Sequence, residues 1–497
     1  MKALLASLPL ALVLTLMLWR RWSTTRAGLA GVAAALLVGS AAFGLTWRVL
    51  WISQVRGVFL ALYVLYIIWP ALLLYHLTRC MGGIAGLGEW LSARSADRSV
   101  AALLLAWPLS SLLEGIAGFG VPLAVVSPMI VAIGFDPVTA VAATAVGHAW
   151  SVTFGDMGVV FEALVAVVHW DARALVPAAA LLLGLAAVAS GVAVARILRT
   201  EHRWLRILAI GAVMALAQAG LALAGLRPLA ALGAGAAGLV AGVGLLGSRH
   251  SKSAVDRRRL ATGLLPYGLT TLLLAPLSFW PALAARLSHL QARVLLPEVA
   301  TSAGWVTAAG AAKAVPWLTH PGSAILLSFA VSWLVFGLVG KAGRDTAAES
   351  VRSAASMAVP VSLGILAMMS LATIMDHCGM TQELARALSG AVGRAYPLLS
   401  AFVGLLGAFT TGSNTNSNVL FGPLQLQTAH LLHLDAVWLL AAQTAGGALG
   451  SMVAPAKLVV GCAAVGIAGQ DGRVLRRTAP YALALLLLLG GLTLLLA

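Results

Sequence analysis

Residues 410–422 read TTGSNTNSNVLFG and interrupt a chain that is otherwise rich in leucine, alanine and valine. Every position from Thr411 to Ser417 is polar or glycine. Lipid offers no hydrogen-bond partner to an irregular backbone, so a helix that breaks inside a membrane must face protein or water. The stretch therefore predicts a helix break within a membrane-spanning region, provided that the rest of the chain spans a membrane.

The composition is that of a membrane protein. Of 497 residues, 61% are hydrophobic and only 10% are charged, and the mean hydropathy is +0.97. A soluble protein would have about a quarter of its residues charged. Many apolar blocks approach the roughly 20 residues that cross a bilayer. We expect an all-α polytopic protein of the cell (inner) membrane, with about 12–14 transmembrane helices.

The basic residues indicate topology. The formal net charge is +16, but the arginines fall in short loops between apolar blocks, which is typical of cytoplasmic loops and does not predict nucleic acid binding. The three cysteines, Cys80, Cys378 and Cys462, are far apart and predict neither a disulfide framework nor a metal cluster. No P-loop or HExxH motif occurs. Catalytic residues, metals and cofactors are therefore not predicted.

The apolar blocks divide the chain into five parts. We expect N-terminal helices in 1–99, a first broken core in 100–170, central helices in 171–353, a second broken core in 354–470, and a last helix in 471–497. The first span is expected to be retained, because no small-residue cleavage site follows it. Continuous spans are predicted near residues 3–19, 27–47, 57–77, 174–195, 207–225, 228–247, 264–285, 322–340, 354–375 and 478–497.

Loop charge predicts that the two broken cores have opposite orientations. The N-terminus lies outside if the strongest basic loops are cytoplasmic, and Arg48, Arg56, Arg286 and Arg293 then fall in external loops. The chain enters the first core from the cytoplasm and the second from outside, so the cores are predicted to be inverted repeats. The basic loops used are 20–26, 79–98, 196–206, 249–259, 341–352 and 473–477.

A shift of 299 residues aligns the two cores without a gap. It places Asp136 on Asp435, both expected to be helix caps, and Gly147 on Gly446. It also places EGIAGFG (114–120) on SNTNSNV (413–419). Broken helices at corresponding positions of two inverted halves are typical of a transporter's binding site.

Each break predicts a helix N-terminus inside the membrane. Such an end has a partial positive charge and unpaired N–H donors, which favours a small organic anion as ligand. Glycine and proline fit the first break, and hydroxyl and amide side chains fit the second. The candidate anion-site residues are Gly118, Phe119, Gly120, Ser413, Asn414, Thr415, Asn416 and Ser417, with Lys457 as a charge partner.

Five ionisable residues lie near the breaks: Glu114, His148, Asp156, Glu162 and Lys457. A charge within a span costs at least about 2.5 kcal/mol, so each is a candidate for function. Glu114 is either a proton carrier or a structural cap. Lys457 attracts an anion, pairs with Asp156, or extends to an interface. His148 is a proton relay or a hydrogen-bonded core residue. The proton-coupling candidates are Glu114, Asp156 and His148.

Two motifs resemble those of a known family. LEGIAGFGVPLAVVSPMIVAIGF (113–135) resembles the lactate permease signature EG-x-AGFG-x-P. TTGSNTNSNVLFGPLQ (410–425) is similar to that family's TGSDTSSNALF, and the T-x-GG, CAAVG and PYG patterns extend the resemblance over most of the chain. It implies a secondary transporter that carries lactate, glycolate and related 2-hydroxy monocarboxylates together with protons. It also implies inverted repeats with re-entrant hairpins, and often a homodimer in the lipid membrane.

The chain departs from the family pattern where coupling would take place. Asn414 stands where the family has aspartate, GHAWSVTFGD adds His148 and Asp156, and Lys457 replaces a more usual glutamine. These changes fit a relocated proton site. They fit equally well a divergent member that carries another small organic anion, with sodium in place of the proton. A passive anion channel is a further alternative.

Overall fold

A computed structural model of the chain describes residues 1–84, 86, 97–246, 257–339 and 343–497. Within these ranges, twelve helices are long and apolar enough to cross a membrane, or thirteen if one bent pair is counted as a span. The predicted all-α polytopic membrane protein is thereby confirmed. The basic segments 79–98, 249–259 and 341–352, which were used to orient the chain, lie partly outside the described residues.

The first half contains two long continuous helices and several short ones. Its helices are α1 (Lys2–Leu18), α2 (Thr24–Ala42), α3 (Trp47–Cys80), α4 (Arg98–Leu104), α5 (Ser110–Ile116), α6 (Val121–Ala132), α7 (Pro137–Ala149), α8 (Val159–Val168) and α9 (Ala172–Ile197). A π-helical turn, Leu105–Leu109, joins α4 to α5, and Pro108 within it explains the irregularity. Two 3₁₀ turns, Trp150–Phe154 and Asp156–Gly158, connect α7 to α8.

One loop prediction and one span prediction are wrong. Arg48 and Arg56 do not lie in an external loop, because both belong to α3, which is 34 residues long. The span predicted at 264–285 is broken into α12 (Arg257–Phe279) and α13 (Pro281–Leu287), which are bent by 100°. Pro281 has no N–H to continue the first helix, so a new helix begins there in another direction.

The middle of the chain also includes a short β-arm that the sequence did not predict. Six two-residue strands pair antiparallel within residues 291–316, as one interrupted hairpin: β1 (Gln291–Ala292) with β6 (Val315–Pro316), β2 (Leu295–Leu296) with β5 (Gly310–Ala311), and β3 (Val299–Ala300) with β4 (Val306–Thr307). The other helices of this region are α10 (Trp204–Leu223), α11 (Ala230–Leu246) and α14 (Pro321–Leu338).

The second half also combines long helices with short ones. It consists of α15 (Arg344–His377), α16 (Met380–Val392), α17 (Tyr396–Thr411), α18 (Asn414–Leu432), α19 (Ala436–Gly450), α20 (Pro455–Ala464) and α21 (Asp471–Leu496). In the core, α17 packs against α18 and α19, and α5 packs against α11. At the periphery, α15 packs against α2 and α3.

Two helix starts and two glycines support the internal repeat. Asp136 and Asp435 cap α7 and α19 as predicted, each accepting a hydrogen bond from a backbone N–H of the first turn. A Cβ atom on Gly147 would lie 1.9 Å from the carbonyl oxygen of Ala106, and one on Gly446 would lie 1.9 Å from that of Ala401. In each half, glycine therefore allows a helix to approach the segment before the break: α7 approaches the π-helical turn, and α19 approaches α17.

The predicted alignment of the two breaks is wrong by several residues. The first break occupies 117–120 and the second 412–413, between α17 and α18. A shift of 299 would place the first break at 416–419, inside α18. The 299-residue alignment holds from α7 and α19 onward, because these two helices have similar lengths. It fails before them because α18 is longer than α6.

Candidate functional site

The first break ends one helix and begins another within four residues. Ala117 is extended, Phe119 has φ 39°, and Gly120 has φ 85°. Pro122 follows in the first turn of α6, where its missing N–H is not needed. The sequence AGFGVP thus stops α5 and restarts the chain as a new helix, as the glycines and proline predict.

Gly118 lies between two carboxylates. Its N–H donates a hydrogen bond to Asp156 Oδ1. A Cβ atom at this position would lie 2.5 Å from Glu114 Oε1 and 2.8 Å from both carboxylate oxygens of Asp156. Only glycine allows both carboxylates to approach the backbone here, so Gly118 shapes the acidic part of the site.

A further break, at residues 155–158, positions Asp156. Asp156, Met157 and Gly158 have φ values of 49°, 55° and 82°, which is a strained left-handed run for two residues with side chains. This break was not predicted from the sequence. The signal for it was the pair of glycines, Gly155 and Gly158, within an apolar run.

Glu114 is the centre of a buried charged cluster. Its side chain is fully buried, Lys457 Nζ lies 3.7 Å from Oε1, and His148 Nε2 lies 4.0 Å from Oε2. Neither Glu114 oxygen has a hydrogen-bond partner within the described part of the chain. The prediction that Lys457 pairs with Asp156 is replaced by a pairing with Glu114. With Asp156, the cluster combines two carboxylates, one ammonium and one imidazole.

The tautomer of His148 follows from its partners. Nδ1 lies 2.7 Å from the carbonyl oxygen of Thr144, which only accepts hydrogen bonds, so Nδ1 carries a hydrogen. In a neutral ring, Nε2 then has a lone pair and no hydrogen. It lies 4.0 Å from Glu114 Oε2, which is beyond hydrogen-bond distance. The alternative of a hydrogen-bonded core histidine accounts for Nδ1 but leaves Nε2 without a partner among the described residues.

The second break brings polar backbone and Lys457 together. Gly412 ends α17 with φ 69°, and Ser413 caps α18 by accepting from the Asn416 N–H at 3.3 Å. A fourth break, at residues 451–454, precedes α20. Lys457 lies in the first turn of α20 and donates to Ser451 Oγ at 3.3 Å. This break was not predicted from the sequence, although Pro455 marks the start of α20.

Amide side chains of the second break tie the two halves together. Asn414 Nδ2 donates to the Thr444 carbonyl at 2.9 Å and to Thr153 Oγ1 at 3.3 Å. Asn418 Nδ2 donates to Thr444 Oγ1 at 2.9 Å and to the Val160 carbonyl at 3.2 Å. Asn414 thus fills a bonding position between the cores, which an ionised aspartate could not fill because it has no hydrogen to donate.

A cavity of about 430 Å³ lies where the two breaks meet, and we call it the inner cavity. Its size is in the range of small-molecule sites, roughly 300–1,000 Å³. Residues 23–25, which belong to the basic segment 20–26 predicted to be cytoplasmic, form part of its wall. Six predicted anion-site residues line it: Phe119, Gly120, Ser413, Thr415, Asn416 and Lys457.

Three predicted anion-site residues are not part of that wall: Gly118, Asn414 and Ser417. Gly118 faces the carboxylates instead, Asn414 is bonded to Thr444, and Ser417 donates to the Gly404 carbonyl at 2.7 Å. All three therefore contact other protein groups and not the cavity. Among the described residues, no group of three or more His, Cys, Asp or Glu side chains could hold a metal ion.

Comparisons with known proteins agree along the whole chain. The family model for L-lactate permease matches residues 2–497. The glycolate permease GlcA of Escherichia coli (strain K12) is 28% identical, over 87% of this chain and 85% of that protein. The L-lactate permease of Bacillus subtilis (strain 168) is 26% identical, over 98% of this chain and 94% of that protein.

A solved structure gives a weaker match. The YdaH transporter of Alcanivorax borkumensis covers 90% of this chain and 88% of its own length, with 16% identity and a TM-score of 0.48. The family assignment does not depend on it. The relatives are permeases rather than enzymes. Together with the twelve candidate spans, the match over residues 2–497 shows that this multi-pass membrane protein belongs to the L-lactate permease family.

Proposed function

We propose that this protein is a secondary transporter that carries lactate, glycolate and related 2-hydroxy monocarboxylates across the cell membrane in symport with protons. The names of its relatives support this choice of substrates. The inner cavity supports a small anion, because its wall includes the ammonium of Lys457 and the capped start of α18. Carboxylate binding at a helix N-terminus uses the backbone donors and the helix dipole together.

The substrate's two functional groups have separate partners in this proposal. Its carboxylate binds near Lys457, and its 2-hydroxyl bonds to the hydroxyl and amide groups of Ser413, Thr415 and Asn416, which line the same cavity. Phe119 covers the apolar side of a small carbon chain. A neutral analogue that lacks the carboxylate would leave Lys457 without its ligand.

Coupling follows from competition for Lys457, which is the observation that carries the proposal. The Lys457 ammonium lies 3.7 Å from Glu114 and also lines the inner cavity. With Glu114 and Asp156 both ionised and His148 neutral, the cluster has a net charge of −1, which repels an incoming anion. One proton taken up by Glu114 makes the cluster neutral and releases Lys457 to bind the substrate. Anion and proton therefore bind together.

Uptake by sealed vesicles tests this function. We expect labelled lactate and glycolate to accumulate above their equilibrium level when the outside is acidic, and to stop accumulating when a protonophore removes the gradient. Accumulation also excludes a passive channel, which only equilibrates its solute. If an imposed proton gradient does not change uptake of either acid, the proposal is wrong.

A second candidate replaces the proton by sodium. Asn414, Asn416 and Asn418 have amide oxygens without hydrogen-bond partners among the described residues. Amide and backbone oxygens at a broken helix are suitable ligands for Na⁺. In the same vesicles, accumulation driven by a sodium gradient at equal pH on both sides would favour this candidate.

A further inference from the structure

A second and larger cavity, of about 630 Å³, lies away from the helix breaks that meet at the inner cavity, and we call it the outer cavity. Its wall is formed by residues 222–228 after α10, residues 277–279 and 284 around the bend of α12 and α13, and residues 316–321 before α14. The predicted topology places these connections outside. Tyr63 of α3 lines the outer cavity, and Ile68 of the same helix lines the inner one.

The outer cavity has an ion pair in its wall. Arg227 Nε lies 2.7 Å from Glu162 Oε1, and the Tyr63 hydroxyl donates to Glu162 Oε2 at 3.1 Å. Both Glu162 oxygens are therefore occupied. Arg173 also lines the cavity, and Lys313 Nζ lies 4.7 Å from the centre of the Tyr63 ring. The three cations outnumber the two nearby carboxylates, Glu162 and Asp171, which leaves an excess of positive charge.

His320 adds a buried neutral ring to this wall. The ring is 1% exposed, and its Nδ1 accepts from the Gly322 N–H at 3.2 Å. Burial lowers the pKa of His320 to about 4, although Glu162 opposes the shift, so the ring is neutral near neutral pH. Since Nδ1 accepts, the hydrogen of the neutral ring is on Nε2, which is buried away from the cavity, and the ring interacts with the Tyr63 backbone. The imidazole therefore contributes a neutral aromatic surface to the cavity wall.

We propose that the outer cavity is a second binding site for small carboxylates, in which the anion contacts Arg173 and competes with Glu162 for Arg227. The identity of the anion as a 2-hydroxy acid rests on the proposed function. The anion then passes from the outer cavity to the inner cavity, which opens toward the opposite side of the membrane. The two cavities reach α3 near its middle, at Tyr63 and Ile68, which are five residues, or about 7.5 Å, apart along the helix.

Occupancy of this site affects the first core directly. A Cβ atom on Gly158 would lie 3.1 Å from Pro228, so the break that carries Asp156 packs against the turn that carries Arg227. The bond between Arg227 and Glu162 of α8 holds these two segments together. An anion that draws Arg227 away loosens this contact next to the charged cluster.

Three single cysteines report on the two cavities. Ser278→Cys lies in the outer cavity, Ser356→Cys lies in the inner cavity, and Ser302→Cys lies on the exposed turn of the β-arm as a control. They are made in a Cys80→Ser parent, since the other two native cysteines are buried and the parent gives the background. The full-length protein is labelled with a membrane-impermeant maleimide in right-side-out vesicles for Ser278→Cys and Ser302→Cys and in inside-out vesicles for Ser356→Cys, with or without lactate or its neutral analogue lactamide.

We expect lactate, but not lactamide, to slow labelling at Ser278→Cys several-fold and to leave Ser302→Cys unchanged. Protection at Ser278→Cys should persist in Lys457→Gln, which disables the inner cavity. It should need several-fold more lactate in Arg173→Gln but not in Arg293→Gln, an exposed arginine of the β-arm. Arg173 and Arg293 are both surface side chains, so neither change is expected to disturb folding.

The opposing outcomes are distinct. If lactate protects Ser356→Cys but not Ser278→Cys, or if Lys457→Gln abolishes protection at Ser278→Cys, the outer site is wrong and the proposed function stands. Equal protection by lactamide also contradicts a carboxylate site. If lactate protects neither cysteine, the choice of substrate itself is wrong.

Discussion

The two breaks that meet at the inner cavity occupy similar places in their halves but differ in chemistry. The first is surrounded by ionisable groups, Glu114, Asp156 and His148, all of them buried. The second is built from neutral amides and hydroxyls, of which Asn414 and Asn418 bond to the Thr444 backbone or side chain. Neutral groups are thus sufficient to build such a break.

That difference indicates that the two breaks have different roles. Each ionisable group inside a membrane costs at least about 2.5 kcal/mol, so three of them at a break that neutral groups could form call for a functional reason. In the proposed function, the first half handles the proton and the second half orients the substrate. Lys457 belongs to the second half but contacts Glu114 of the first, so it connects the two roles.

The largest expected effect is at Gly118. In Gly118→Ala the new methyl group would meet both carboxylates, at 2.5 and 2.8 Å, and would separate Glu114 from Asp156. We expect uptake to fall by about a hundredfold or more, as is typical when reacting groups are displaced by about an ångström. Initial rates of labelled lactate uptake, normalised to the amount of folded protein, measure this loss.

Gly220→Ala is the matched control for that substitution. Gly220 lies in α10, and no described residue lies within 4 Å of a Cβ atom placed there. Uptake should stay normal, and stability should not fall, because alanine is the better helix former. Normal uptake by Gly118→Ala would mean that the two carboxylates do not need their close approach.

The link between the halves is tested at Lys457. Lys457→Gln leaves the substrate carboxylate without its cation, and we expect KM to rise about tenfold or more, equivalent to about 1.4 kcal/mol. Arg473→Gln, at an exposed cation of α21, is the control and should leave KM unchanged. A KM for lactate that is the same in both variants would remove Lys457 from the anion site.

A smaller effect is expected when the second break is given a charge. Asn414→Asp restores the residue type found in the resembling family motif, but an ionised aspartate cannot donate to the Thr444 carbonyl. We expect the free energy of unfolding to fall by about 1–3 kcal/mol, the cost of an unsatisfied buried group. The loss should be greater in alkaline than in acidic buffer, because a protonated carboxyl regains a donor. Thermal unfolding at several pH values measures it, and a pH-independent loss would contradict this reading.

Residue patterns predicted the membrane architecture and the two main breaks, because glycine, proline and capping side chains act locally. AGFGVP and TTGSN end and restart helices where the sequence indicates, and Asp136 and Asp435 cap the helices they precede. The same local signals at Gly155 and Pro455 were present but weak, and those breaks were missed.

Contacts between distant segments were less predictable. The pairing of Lys457 with Glu114 depends on how α20 packs near α5, which no local pattern specifies. The β-arm was missed because its strands are only two residues long. The prediction that Asn414 and Ser417 line the cavity is wrong. A polar side chain at a helix start can face either a cavity or a neighbouring helix, and here Asn414 bonds to Thr444 and Ser417 bonds to Gly404.

The central claim is that Glu114 carries the coupled proton, and Glu114→Gln in reconstituted vesicles tests it most directly. Glutamine keeps the shape but cannot release a proton, so we expect this carrier to exchange internal for external lactate and no longer to accumulate it under a proton gradient. Asp156→Asn, measured in parallel, should retain some accumulation, because asparagine still accepts the hydrogen bond from Gly118. Normal accumulation by Glu114→Gln would contradict the account.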